Sequence, residues 1–168
     1  MTRRIVYFAT LFVLMLITGV FWGTWFTLTR TIDSFSDAEF THIGKVIITN
    51  VAIPMSIILP IGVLFIIVSL FLYENKSSVG FTFGLLSFLL VVVMLLVTLL
   101  ILVPIDDQIK GWTTVPSNFE VIRYKWETFH VIRTSASILS FAFYAVAVLT
   151  DKPKEYRSPR HIFYGRTR

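Results

Sequence analysis

Four stretches of this 168-residue chain are too long and too apolar for a water-soluble domain: about 5–28, 44–73, 79–104 and 128–150. The third contains "FGLLSFLLVVVMLLVTLLILV", an almost unbroken hydrocarbon run. Each is long enough for a helix of about 20 residues to cross a hydrocarbon core of about 30 Å. Lipid offers the backbone no hydrogen-bond partners, so segments of this kind must satisfy themselves as helices. Only 15% of residues are charged, against about a quarter in soluble proteins. The expected fold class is therefore all-α, an integral membrane four-helix bundle over 1–150, followed by a basic tail over 151–168. The first stretch follows Arg3 and Arg4 and resembles a signal peptide. It is longer than an ordinary signal core and no small-x-small cleavage pattern follows, so it is read as a retained first span.

Charge sets an expected orientation. Four spans place both termini on one side. Arg3, Arg4, Lys76 and the six lysines and arginines of the tail lie there; fewer lie opposite. The positive-inside rule puts both termini in the cytoplasm of a multi-pass cell-membrane protein. The net charge of +5 thus belongs beside lipid headgroups, and no nucleic-acid partner is expected. The expected partners are the bilayer, a lipophilic small molecule and a second membrane protein. With no cysteine, disulfides, thiolate metal sites and cysteine nucleophiles are excluded. No internal repeat is visible, which argues against an inverted-repeat transporter.

The two outer connections carry helix-start signals. Ser36-Asp37-Ala38-Glu39 has capping-box spacing, and Ser117-Asn118-Phe119-Glu120 repeats it. The second helix is expected to begin near Asp37 and the fourth near Asn118. A helix from 118 to 150 is roughly 50 Å long, so the second and fourth helices are expected to extend beyond the membrane on the outer side. Between them, Ile105, Ile109 and Trp112 fall at i, i+4 and i+7, which suits a short helix lying on the membrane surface.

The fourth span carries the chemistry. Arg123, Glu127, His130, Thr134 and Ser137 recur at spacings of four and three and share one helical face, flanked by Trp126 and Arg133. A buried arginine costs several kcal/mol unless it is partnered or reaches the interface. The stripe is either a structural seam with an interfacial tryptophan anchor or the wall of a functional cavity. His42 and Asn50 on the second helix, and Asp106 and Asp107 after Pro104, are candidate partners. His42, Asp106, Asp107, Glu127 and His130 are suitable metal-ligand types. No H-E-x-x-H motif or pair of Glu-x-x-His motifs supports a metal, and none is expected. Acid–base work by His130 fits better, since imidazole titrates near neutrality. Gly19 and Gly23 have the spacing that lets helices approach closely. Packing inside the bundle is the leading reading of that pair, with a second copy or a ligand as rivals. Trp22 and Trp25 nearby are either interface anchors or the walls of a flat aromatic pocket.

Three segments together, "TGVFWGTWF" at 18–26, "VPIDDQIKGW" at 103–112 and "RYKWETFHVIRT" at 123–134, resemble the anthrone-oxygenase-like family of small four-helix membrane proteins. Asparagines often follow the proline in that family; Asp106 and Asp107 stand there in this chain. The resemblance implies oxidation of a lipophilic aromatic or quinone-like molecule without a bound redox cofactor. It also implies roles: His130 as base, Arg133 or Arg123 holding a developing oxyanion, Trp22, Trp25 and Trp126 flanking a flat ring. Asp106, Asn50 and His42 complete the candidate site. The rival expectation is a non-catalytic accessory subunit or lipid-binding module.

Overall fold

The structure is a computed structural model that describes residues 2–151. Apart from Asp151, the basic tail therefore lies outside the described residues. Five α-helices make up the fold: α1 (Thr2–Thr27), α2 (Asp37–Phe71), α3 (Val79–Val97), α4 (Val103–Gly111) and α5 (Phe119–Thr150). A 3-10 turn over Thr29–Ser34 follows α1, and a π-helical turn over Thr98–Leu102 joins α3 to α4. No strand is present among the described residues. Four helical rods are long and apolar enough to cross a membrane. The chain is a multi-pass membrane protein.

Local chemistry accounts for the helix ends. Ser36 caps α2: its Oγ accepts from the Glu39 N–H, and the Glu39 carboxylate accepts from the Ser36 N–H at 2.9 Å. Asn118 stands at the cap of α5, but no side-chain cap forms there. The second expected capping box does not form because α5 starts one residue later than Ser117 would require, which puts Glu120 at the second helical position; its carboxylate lies 3.6 Å from Arg123. At 1.5 Å per residue, the 35 residues of α2 and the 32 of α5 give rods of roughly 50 Å. Both exceed a hydrocarbon core of about 30 Å.

The third rod departs from expectation. Pro104 sits in the first turn of α4, where its ring would clash with the carbonyl four residues back and it has no N–H to give. The turn before it widens, and the Val103 N–H reaches back five residues to the Thr98 carbonyl. One residue is thereby absorbed without breaking the rod. Consequently α4 is not a separate surface helix. Ile105 and Ile109 are buried and Trp112 is partly buried, all packed with Phe40, Phe119, Ile122 and Trp126 in an apolar cluster near the start of α2. Lys45 donates to the Trp112 carbonyl and ties α2 to the end of α4.

The rods form a ring in the order α1, α2, α3, α5, with α3 and α5 in closest contact and α2 packed only lightly on α3. Glycine allows the tight contacts. A Cβ on Gly80 would lie 3.0 Å from the Ala147 carbonyl oxygen, and one on Gly62 would lie 2.7 Å from Ile17 Cδ1. Across α3 and α5, Ser87 and Ser140 bond reciprocally to each other's carbonyls, at 2.8 and 3.1 Å. Gly19 and Gly23 do not serve this purpose. Among the described residues a Cβ on either would meet nothing within 4 Å, so none of the described helices packs closely on them. At the opposite end Arg3 pairs with Glu74 at 3.2 Å and Asp151 at 3.6 Å. These pairs join the start of α1, the α2–α3 connection and the end of α5.

Candidate functional site

Because α2 stands away from α3, a cavity of about 680 Å³ opens between them. Such a volume is within the usual range for a small-molecule site. Its wall is mostly aliphatic. The polar exceptions are Asp106 from α4, His130 and Arg133 from α5, the indole of Trp126, and the hydroxyl residues Thr24, Ser56 and Thr98. Asp106 is half-buried; Trp126, His130 and Arg133 are buried.

These four side chains form one connected group. The Trp126 indole N–H donates to Asp106 Oδ1 at 2.9 Å. The His130 ring lies 3.9 Å from the Trp126 ring, centroid to centroid. Arg133 Nη2 donates to His130 Nδ1 at 3.0 Å. The guanidinium carbon sits 4.1 Å from the centre of the Phe21 ring, a distance at which the π face attracts a cation. Among the described residues no carboxylate forms a direct ion pair with Arg133. The Phe21 face, the imidazole and the more distant charge of Asp106 are its compensation.

The arrangement fixes a tautomer. A guanidinium has donors only, so His130 Nδ1 must accept. The imidazole proton then sits on Nε2, and Nε2 is a donor. Neither His130 Nε2 nor Arg133 Nε has a hydrogen-bond partner among the described residues, and both atoms are buried. A buried N–H without an acceptor costs about 1–3 kcal/mol. Two of them on residues lining one cavity make it receptive to an acceptor, above all an anionic oxygen. In this state His130 Nε2 donates a proton rather than taking one, which differs from the base role that the resemblance implied. Asp106 is the only carboxylate on the cavity wall among the described residues.

The π turn contributes to this geometry. It carries Thr98 on the wall and sets the phase at which α4 presents Asp106. Such turns occur mostly as single interruptions, frequently at functional sites. The spacing on α5 arises from helix geometry alone: Trp126, His130 and Arg133 are four and three apart and fall on the buried face.

Other candidates lie elsewhere. Arg123 does not line the cavity; it pairs with Asp33 at 2.9 Å, closing α5 against the 3-10 turn. His42 and Asn50 are exposed on α2 and off the cavity, and Asn50 Nδ2 donates to the Val46 carbonyl of its own helix. Trp22 and Trp25 lie against each other on α1, ring centres 5.0 Å apart and planes tilted by 36°, also off the cavity. The metal-ligand types do not converge: among the described residues no three His, Asp or Glu side chains come together. Phe21, Thr24, Ser56 and Thr98 are wall residues without a distinguishing sequence signal. An aromatic or hydroxyl residue in an apolar span reads the same whether it faces lipid, protein or a cavity.

A sequence model described as anthrone oxygenase matches residues 45–143. That is more than half the chain, and it contains every cavity-lining residue except Phe21 and Thr24. No protein of curated function and no solved structure matches the chain. The cavity, its aromatic and charged end, and the matched segment coincide, and the chain belongs to the anthrone oxygenase family.

Proposed function

We propose that the cavity is the reaction site of a membrane oxidoreductase that uses dioxygen on a lipophilic aromatic or quinone-like molecule. One observation carries this reading. Among the described residues the cavity wall carries a single carboxylate, Asp106, together with two unpartnered N–H groups, on His130 and Arg133. A carboxylate facing two donors suits proton removal from carbon with capture of the resulting oxyanion.

An anthrone-type substrate carries a CH₂ group between two rings, opposite a ketone. Asp106 takes one proton from the CH₂, and the electron pair delocalises onto the ketone oxygen. His130 Nε2–H and Arg133 hold that oxyanion. The electron-rich ring passes one electron to dioxygen, and the two radicals combine through a new C–O bond to give a peroxide anion. The peroxide recovers its proton from Asp106. Loss of the second C–H proton breaks the O–O bond, leaving a ketone and releasing water. One CH₂ and one O₂ become one C=O and one H₂O, with no outside reductant. Trp126 and Phe21 supply flat walls, and the aliphatic lining excludes water from the oxyanion.

Topology belongs to the same proposal. With both termini cytoplasmic, as the positive-inside rule requires, the polar end of the cavity lies toward the outer side of the cell membrane. The excess length of α2 and α5 projects there.

The test is oxygen consumption and quinone absorbance with anthrone, using the full-length chain in lipid nanodiscs. Isotopically heavy dioxygen should place one labelled atom in the new carbonyl. Asp106→Asn keeps an acceptor for Trp126 but removes the base, and should lower turnover by about 10²–10⁴-fold with yield unchanged. Full activity in that variant would sink the base assignment, and absence of label in the carbonyl would sink the reaction. A second reading, a non-catalytic lipid-binding module, draws on the exposure of much of the α2 wall. It predicts ligand retention without any oxygen uptake.

A further inference from the structure

The cavity is much longer than its polar end. On α2 the wall begins at Ile47 and Ile48 and ends at Ile67, in pairs that recur once per helical turn. Nineteen residues of rise from Ile48 to Ile67 correspond to roughly 30 Å along α2, while the facing rod lines the cavity only from Leu95 to Asp106, so the remaining stretch is a stripe of α2 open to the bilayer. The polar group occupies one end only. Trp126 shares an apolar cluster with Ile48 and Leu102, whereas Leu59 and Ile66 belong to a second cluster with Leu14, Val91 and Tyr144. Beyond Ser56, every α2 wall residue is aliphatic or proline: Leu59, Pro60, Val63, Leu64 and Ile67. Pro60 and Leu64 are exposed on the bilayer side, so the slot is open laterally along this stretch. A fused-ring head bound at Asp106, His130 and Arg133 leaves most of this length unfilled. A hydrocarbon chain of leaflet length, about half of the 30 Å core, fills it and stays parallel to its neighbours in the bilayer.

We infer that the ligand of this site is a phenol or quinol whose ring carries one long hydrocarbon tail, with the tail leaving the cavity past Leu95, the one α3 wall residue, and lying along the aliphatic stripe of α2. This inference rests on the reaction site proposed above and narrows the ring it receives, with the acidic proton facing Asp106 coming from a ring hydroxyl where an anthrone offers its CH₂. The head is recognised by the two unpartnered donors and the carboxylate, and the tail by the aliphatic stripe. The lateral opening gives passage from the membrane without exposing the tail to water.

The experiment uses the full-length chain in nanodiscs of fixed lipid composition. Two probes share one ring: decylhydroquinone and methylhydroquinone. Binding is read by native mass spectrometry, comparing wild type with Val63→Phe and with Ile67→Trp. Both substitutions fill the slot far from the polar group, and two are used because one alone can disturb packing. Bilayer partitioning of each probe is common to all three proteins and cancels in the comparison. The expected result is a loss of about tenfold or more in decyl-probe affinity in both variants, from lost burial of the tail, with methyl-probe binding unchanged. Equal affinity of the two probes for the wild type, after correction for partitioning, would overturn the tail and leave the oxidation in place. Decyl-probe binding insensitive to both substitutions assigns it to the general lipid surface and likewise overturns the inference. Slot-sensitive decyl-probe binding with no oxygen uptake on any ring supports the tail and removes the oxidation.

Discussion

Arg133 is the residue with most to lose by being where it is. It is buried at 7% exposure, within a membrane helix, with no direct carboxylate partner among the described residues. Its compensation is an aromatic face and an imidazole nitrogen. A buried charge held on such terms is poor value for stability, which points to a role in binding or chemistry. Arg133→Met preserves length and apolar contact while deleting the charge. It should leave the unfolding temperature unchanged or raise stability by about 1–4 kcal/mol, while anthrone-dependent oxygen uptake falls by about 10²-fold or more. A structural arginine would give the opposite pattern, a destabilised protein with residual turnover; thermal unfolding and an oxygen electrode separate the two. The sequence makes His130 and Arg133 legible because ionisable residues in an apolar helix stand out. The stripe expected from spacing runs through Arg123, Glu127, His130, Thr134 and Ser137 with Trp126 and Arg133 beside it, whereas the cavity leaves Arg123 and Glu127 off its wall and takes Trp126, His130 and Arg133. Their partners are less legible. Phe21 is one phenylalanine among 16, and only the fold brings its ring under the guanidinium. Arg123 carries as strong a sequence signal as Arg133, yet an aspartate 90 positions earlier claims it.

At the scale of elements, the helices follow from hydropathy and caps, but the contacts between them do not. Gly19-x-x-x-Gly23 has the spacing of a helix-packing motif, and no described residue approaches it. The tight contacts fall at Gly62 and at Gly80, which heads a second motif of the same spacing, Gly80-x-x-x-Gly84. The reason is that close approach depends on how whole rods cross, whereas spacing records only which residues share a face. Gly80→Val would drive side-chain atoms into the Ala147 carbonyl and the Asp151 backbone, which cannot give way as a side-chain tip can. It should destabilise the α3–α5 pairing by about 1–3 kcal/mol and lower the detergent-solubilised unfolding temperature. Gly19→Val meets open space and should cost no more than about 1 kcal/mol. Equal loss in the two variants would show that these contacts do not hold the bundle as described. The π turn is a similar case. Pro104 is plain in the sequence, but its widening of the rod and the burial of Ile105 and Ile109 that follows require α4 to continue α3 instead of turning onto the membrane surface.

For the whole molecule, orientation decides which face of the membrane the reactive end of the cavity addresses. The bundle has two chemically different ends. One holds Asp106, Trp126, His130 and Arg133; the other holds Arg3, Glu74, Asp151 and the aromatic pair Tyr7 and Tyr73, stacked at 5.2 Å. Bundle geometry alone is indifferent to which end faces the cytoplasm. The proposed orientation rests on lysine and arginine placement, since cationic segments beside a span resist transfer across the membrane. The chain contains no cysteine, so a single introduced thiol reports its own location without background. Ser77 lies in the α2–α3 connection and Thr114 in the α4–α5 connection, and both are exposed. In intact cells, a membrane-impermeant maleimide should label Thr114→Cys fully and leave Ser77→Cys unlabelled until the membrane is opened. The reverse pattern would put the polar end of the cavity in the cytoplasm, where a hydrophobic product would be released among soluble acceptors. Labelling as expected places the polar end toward the outer surface, so that a tailed substrate approaches laterally through the lipid and its oxidised head emerges on the side away from the basic termini.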